Sequence, residues 1–321
     1  MVATSALTAS RRGRDRTADG SDGETAIRAR GLRKRYADVE AVRGINLTVR
    51  TGEIFAFLGP NGAGKTTTVE MLEGYRRRDA GEVTVLGADP AHPSLQWRAR
   101  LGVVLQTSQM PDELTVRELV ERYAGFYPHP RDIGETIELA GLADKRKSRA
   151  RKLSGGQLRR LDVALAIVGD PDLMFLDEPT TGFDPAARRQ AWALVEGLRG
   201  LGKTVFLTTH YMDEAEALAD RVAVIAKGSI VAEGTPQTLG GRDTAPVEIR
   251  FAYTPGTSPP LPADLTVQTG DHQVTIRTAE PEATLRVLLD WARDHRVSLH
   301  GLDVRAPSLE DIYLRLTGGA S

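Results

Sequence analysis

The chain has 321 residues, a formal net charge of −1 and no cysteine. That length suits two or three folding units with a full core. The charge balance argues against a dedicated nucleic-acid binder, and the missing thiols exclude disulfides, thiolate metal sites and cysteine catalysis. No stretch reaches the roughly 18 to 20 apolar residues that cross a bilayer. The most apolar run, residues 163–176, is broken by Gly169-Asp170-Pro171-Asp172.

Residues 1–25 are rich in Ser, Thr, Ala, Arg, Asp and Gly, lack the apolar block of a secretory signal, and read as a disordered tail. Strands are predicted at 26–32, 41–49 and 54–58. The last is an apolar run that enters Gly59-Pro60-Asn61-Gly62-Ala63-Gly64-Lys65-Thr66, of the form G-x-x-x-x-G-K-[ST]. A helix is expected over 66–73, closed by Gly74. Strand, glycine loop and helix are the context in which this pattern holds phosphate. Gly62 and Gly64 let backbone N–H groups turn onto phosphate oxygens, and the helix N-terminus adds positive potential. Lys65 would reach the β- and γ-phosphates and the Thr66 hydroxyl would bind Mg²⁺, with Thr67 next to them on the nucleotide.

Further strands are predicted at 82–85 and 102–106, and from 107 to 152 the pattern is helical. Thr115 and Glu118 form a capping box ahead of Val116, Leu119, Val120 and Tyr123. Residues 132–139 make a second helix, and the basic run 145–152 reads as a solvated face. Strands return at 173–176, 204–207 and 222–226, with helices at 186–198 and 212–219 between them. Alternation of this kind implies a mostly parallel α/β core interrupted by one helical insertion.

Phe175-Leu176-Asp177-Glu178 ends an apolar strand in two acids, which packing does not reward, since unpaired buried charge is costly. Asp177 is expected in the Mg²⁺ shell and Glu178 beside the attacking water. His210, after the strand at 204–207, is placed to contact the γ-phosphate from the far side. Beyond residue 241 lies a Pro/Gly/Ser-rich stretch at 254–262. Strands are predicted at 247–253, 265–269 and 273–278, with Gly270-Asp271 at a turn. A helix at 282–294 carries Leu285, Leu288, Leu289 and Ala292 on one face, and a last helix opens at Ser308 and buries Leu309, Ile312, Tyr313 and Leu316. Residues 245–321 read as a small separate α+β domain.

Between the phosphate loop and the paired acids stands Leu153-Ser154-Gly155-Gly156-Gln157. Loop, pentapeptide, Leu176-Asp177-Glu178-Pro179 and Thr208-Thr209-His210, in that order, resemble the ATP-binding subunit of ABC transporters over residues 26–240. The resemblance implies an α/β P-loop NTPase (RecA-like) core, an antiparallel N-terminal β region and a helical signature subdomain at about 107–160. It implies that Tyr36 stacks on adenine and that Gln106 binds Mg²⁺ and relays nucleotide state. Ser154, Gly155 and Gly156, with Gln157 completing their surface, would bind the ATP held by a second copy. Asp184, in Gly182-Phe183-Asp184, would touch the opposite site, and Glu178 would act on water. Phe183 stands where many relatives carry Leu.

The same resemblance implies ATP and Mg²⁺ as cofactors, a homodimer, and a separately encoded transmembrane permease gripping the groove near residues 106–114. It also implies a peripheral position on the cytoplasmic face of the membrane, without nucleic acid and without direct contact to the transported compound. Residues 208–215 and 307–313 look like ABC-2-type exporters, closest to the daunorubicin-resistance type. Alternatives are the ATPase of an importer and an ABC-type ATPase working on ribosomes or DNA. Ribosome-acting relatives usually pair two cassettes through a charged linker, and this chain has one cassette.

Overall fold

A computed structural model describes residues 25–105, 111–253, 260–262, 265, 267–269 and 272–318. Residues 1–24 of the expected N-terminal tail, Gln106 and the Gly270-Asp271 turn lie outside these residues, while Thr25, placed at the end of that tail, opens the first strand. The order begins β1 (Thr25–Tyr36), β2 (Val39–Arg50), β3 (Ile54–Leu58), α1 (Lys65–Leu72), β4 (Ala80–Val85), α2 (Leu95–Arg98) and β5 (Leu101–Val104). It continues α3 (Val116–Ala124), α4 (Ile133–Leu139), α5 (Gly155–Ile167), β6 (Leu173–Asp177), α6 (Pro185–Gly200), β7 (Thr204–Thr209), α7 (Met212–Leu218), β8 (Arg221–Ala226) and β9 (Ser229–Gly234). The C-terminal part holds β10 (Val247–Ala252), β11 (Val267–Thr269), β12 (Gln273–Thr278), α8 (Pro281–Asp294), β13 (Asp303–Arg305) and α9 (Leu309–Thr317).

Three sheets organise these elements. The largest has the order β5-β6-β7-β3-β8-β9, parallel from β5 through β8, with β9 antiparallel at its edge. Strands covered on both faces are apolar throughout, and Ile54–Leu58 is buried at every position. One face carries Phe55, Phe57, Phe175 and Phe206, with Phe206 5.6 to 5.7 Å from the other three ring centroids. This face packs on the antiparallel sheet β2-β1-β4. In β1 the apolar alternation would fail after Ala29. A register shift spanning Gly31, at φ 57°, keeps Leu32 on the buried side. The opposite face, with Ile54, Ala56, Met174, Leu176, Val205 and Leu207, is covered by α5, α6 and α7.

Helices α3, α4 and α5 enclose their own cluster around Val116, Leu119, Ile137, Leu161 and Leu165. Thr115 and Glu118 form the expected reciprocal cap of α3. The basic run 145–152 lies largely at the surface, where Arg149 and Arg151 pair with Glu113 and Arg146 with Glu138.

The third sheet, β11-β12-β10-β13, packs Ile249, Phe251, Val274 and Ile276 against Leu288 and Trp291 of α8. Helix α9 packs elsewhere. Leu309 is fully buried in the cluster under the large sheet, with Tyr313 and Leu316 against it. Arg242 and Arg315 tie α9 to the segment that follows β9, donating to the carbonyls of Pro307 and Gly240.

Candidate active site

The carboxyl ends of β3, β6 and β7 point to one edge of the large sheet, the side on which parallel α/β sheets bind ligands. After β3 the chain turns through Gly59 and Gly64 where backbone crosses backbone. A Cβ on Gly59 would stand 2.5 Å from the Ile225 carbonyl oxygen, and one on Gly64, at φ 108°, 2.5 Å from that of Ala41. Gly62, at φ 78°, meets nothing within 4 Å and faces open space. Helix α1 begins on Gly64 with no side-chain cap and no acid in its first turn. Its leading N–H groups therefore keep their donors for an anion, which fits a polyphosphate.

Lys65 is buried, and its Nζ donates to the carbonyls of Gly59 at 2.6 Å and Pro60 at 3.2 Å. Burial lowers its pKa below the ordinary lysine value, while Glu178 and Asp177 pull it back up. Thr66 is exposed and Thr67 half-buried. The Tyr36 hydroxyl is 3.5 Å from the Thr67 hydroxyl, and the Tyr36 ring has Arg76 and Lys34 at 5.2 and 5.7 Å from its centroid.

Register brings the acids and the histidine together. Asp177 pairs with Thr208 across β6 and β7. The Thr208 hydroxyl donates to Asp177 Oδ1 at 2.5 Å and accepts the Glu178 N–H at 3.1 Å. Glu178 follows at φ 46°, in the left-handed region that residues with a Cβ avoid. Its Oε2 accepts from the Thr181 hydroxyl at 3.1 Å, and His210 Nδ1 lies 3.4 Å from Oε1. Behind this edge Glu73 is buried at the end of α1. Burial, with Asp177 and Glu70 nearby, raises its pKa to about 8.

Ser154 is the N-cap of α5. Its hydroxyl accepts from the Gln157 N–H at 3.3 Å, and the Gln157 side chain accepts from the Ser154 N–H at 3.0 Å. Gly155 has open space where a Cβ would stand, and Gly156 approaches only Ala187, at 3.6 Å. Ser154 to Gln157, Glu178, Thr181, Phe183 and Asp184 line one open cleft of about 1000 Å³, and no residue of the loop 59–66 lines it. Asp184 already has local partners, since its Oδ1 accepts from the Ala186 and Ala187 N–H groups as the cap of α6.

The site therefore gathers Lys65, Asp177, Glu178 and His210 at one sheet edge, and Ser154 to Gln157 with Asp184 on an adjoining cleft. Gln106 lies outside the described residues. Sequence reasoning missed Thr208, Thr181 and Arg159, whose guanidinium donates to the Asp177 carbonyl. The one available signal was the Thr208-Thr209-His210 triplet itself, which places a hydroxyl on the strand beside the acids.

Among the described residues no group of three or more His, Asp or Glu side chains could hold a metal by itself. The oxygens of Thr66 and Asp177 fit a Mg²⁺ that takes its remaining ligands from phosphate and water. No helix among the described residues is long and apolar enough to cross a membrane.

Residues 42–181 match the ABC transporter family model, and residues 247–308 match that of the ABC transporter domain-containing protein-like C-terminal domain. The chain is 42% identical over 306 residues to the Nod factor export ATP-binding protein I of Rhizobium sp. (strain N33), covering 92% of this chain and 98% of that one. It is 38% identical over 306 residues to the daunorubicin/doxorubicin resistance ATP-binding protein DrrA of Streptomyces peucetius, covering 91% and 92%. Among solved structures, cbiO1 from Clostridium perfringens, described as part of an ABC transporter complex, aligns with a TM-score of 0.62. It shares 27% identity and covers 67% of this chain and 90% of its own.

Proposed function

This chain belongs to the ATP-binding proteins of ABC transporters, and from that membership we propose that it hydrolyses ATP to drive export through a separate membrane-embedded permease. The observation that carries the site is the split between its two surfaces. The phosphate loop with Lys65 is one, and the cleft starting at Ser154 is another that the loop does not line. Two copies placed head to tail would bring each copy's Ser154 to Gln157 onto the nucleotide held by the other's loop. The N-terminal N–H groups of α5, flanked by Gly155 and Gly156, would then donate to the γ-phosphate. Tyr36 would stack on the adenine, and Asp184 would meet the opposite site. Hydrolysis is thereby confined to the closed pair, which is what a transport stroke needs.

Within that pair Lys65 offsets charge on the β- and γ-phosphates, and the loop amides and α1 fix their position. Glu178 accepts a proton from the attacking water, with Thr181 and His210 flanking its two oxygens. His210 also stands where it can donate to the γ-phosphate. Bound Mg²⁺, held by Thr66, Asp177 and Gln106, would neutralise phosphate charge. The direction of transport is supported by near full-length similarity to a Nod factor export ATP-binding protein I. Selection of the exported compound then belongs to the permease, and the ATPase would sit at the cytoplasmic face against it.

The experiment is co-expression with a separately encoded permease and ATP-driven transport in inside-out vesicles. Accumulation of substrate inside such vesicles is expected. Loss of preloaded substrate would identify an importer, and an ATPase that never copurifies with the permease would remove the transport reading.

A further inference from the structure

The peptide unit between Asp177 and Glu178 is gripped from both sides. Its N–H donates to the carbonyl and hydroxyl oxygens of Thr208, each at 3.1 Å. Its carbonyl accepts from Nη2 of Arg159 at 2.7 Å. Glu178 follows this unit at φ 46°. A residue with a Cβ holds such a backbone only where its surroundings over-determine it.

Arg159 lies on α5, little more than one turn past Ser154, with its side chain about 10% exposed. Its Nε donates to the Pro179 carbonyl at 3.3 Å and its Nη1 to the Leu105 carbonyl just after β5. One guanidinium thus joins three carbonyls, two of them flanking Glu178. Asp162, 3.8 Å away on the same helix, is its ion-pair partner. A planar fork with five N–H donors can span these acceptors, whereas an ammonium group is a single point.

We infer that Arg159 is a positioning residue for ATP hydrolysis. It holds the Asp177–Glu178 peptide so that Glu178 keeps its left-handed conformation, and it makes that conformation depend on where α5 stands. The first turn of α5 is Ser154 to Gln157, so the helix that reads the opposite nucleotide also holds the peptide on which Glu178 is aimed. Seating the nucleotide on α5 and aiming the catalytic carboxylate become one movement. The inference rests on the role of Glu178 proposed above.

The test uses the full chain with its permease. kcat and KM for ATP are measured for Arg159→Ala and Arg159→Lys, and single-turnover hydrolysis for Arg159→Ala with and without Glu178→Gln. A misaimed group costs on the order of 100-fold, so Arg159→Ala should lower kcat by about that factor and leave KM within about twofold. In the Glu178→Gln background the same change should cost nothing further, because the group it aims is gone. Guanidinium ion, added well below denaturing concentrations, should restore part of the Arg159→Ala rate, whereas Arg159→Lys should remain slow. Equal losses in both backgrounds, or an unchanged kcat, would overturn the inference. If Arg159→Ala does not fold, Arg159→Lys carries the same comparison. Should Glu178→Gln itself turn over normally, the failure belongs to the Glu178 assignment and not to Arg159.

Discussion

His210 Nδ1 stands 3.4 Å from Glu178 Oε1, each residue at the end of one of two adjacent parallel strands. The His side chain is 40% exposed and the Glu side chain 12%, so the imidazole faces the solvent side of the carboxylate, where a second copy would close. Glu178→Gln keeps the shape and the Thr181 contact but cannot take a proton. General-base losses run from about 100-fold to 10,000-fold, and a loss in that range is expected, with ATP still bound and the closed dimer accumulating. Size-exclusion chromatography with ATP and a turnover assay check both halves. His210→Ala removes a flanking imidazole and leaves the base in place, so its turnover should fall less, by roughly 10- to 100-fold. A Glu178→Gln protein that hydrolyses ATP at the wild-type rate would remove the base assignment.

Lys65 carries its charge in a buried place. Its folded pKa lies below the ordinary lysine value because burial outweighs the attraction of Glu178 and Asp177. The folded state then holds its proton less firmly than the unfolded state. The charged amine costs stability at neutral pH, and the cost disappears as pH rises from the lowered value to 10.5. Lys65→Met keeps the apolar stem and removes the charge. The nucleotide-free variant should melt at the wild-type temperature or above, while the rise in melting temperature that ATP causes should vanish. Differential scanning fluorimetry with and without ATP reads both effects. A large drop in the nucleotide-free melting point would mean that the Gly59 and Pro60 hydrogen bonds outweigh the burial cost.

The phosphate loop and the paired acids were legible because their chemistry demands fixed residue types at fixed spacing. The large sheet was legible because strands buried on both faces are unbroken apolar runs. Arg159 and Thr208 were not, since they reach Asp177 across sequence separations of 18 and 31 positions, Arg159 through a backbone carbonyl that no residue type announces. Helix α5 was hidden by its own start, because Ser154 and Gln157, read from the sequence as nucleotide contacts, form a reciprocal helix cap. Asp184, read from the sequence as a contact to an opposite site, is likewise the cap of α6. Strands β9 and β13 are short edge strands with weak alternation, and β13 is exposed at all three positions, so pairing and not pattern defines them.

Glu73 ties the fold to pH. Its carboxyl is buried and its pKa is raised from 4.5 to about 8, through burial first and then the nearby Asp177 and Glu70. Between those values the folded state binds more protons than the unfolded one, so stability falls as pH rises from about 4.5 to about 8 and is level above that. Glu73→Gln has no proton to lose. The variant should match wild type at pH 5 and melt higher than wild type at pH 8.5, with a shallower dependence between. Melting curves across that range check it. A wild type whose stability rises from pH 5 to 8 at the rate of the variant would show Glu73 ionised throughout.

The last helix offers a test of where the C-terminal segment spends its stability. Leu309 has no exposed surface and lies in the cluster under β3, β6 and β7, while Ile249, Phe251 and Trp291 form a separate cluster with α8. Ser308 and Asp311 cap α9 reciprocally, which fixes the turn that inserts Leu309. Truncating a buried leucine to alanine costs about 2–5 kcal/mol when the site cannot collapse. Leu309→Ala should therefore destabilise the ATP-binding domain, lowering the melting transition that ATP shifts upward. Leu288→Ala, in the α8 cluster, should affect the C-terminal sheet and leave the ATP-responsive transition nearly unmoved. Calorimetry with and without nucleotide separates the two. If Leu309→Ala instead loosens only the ATP-insensitive transition, α9 belongs energetically to the C-terminal sheet and not to the engine beneath which it packs.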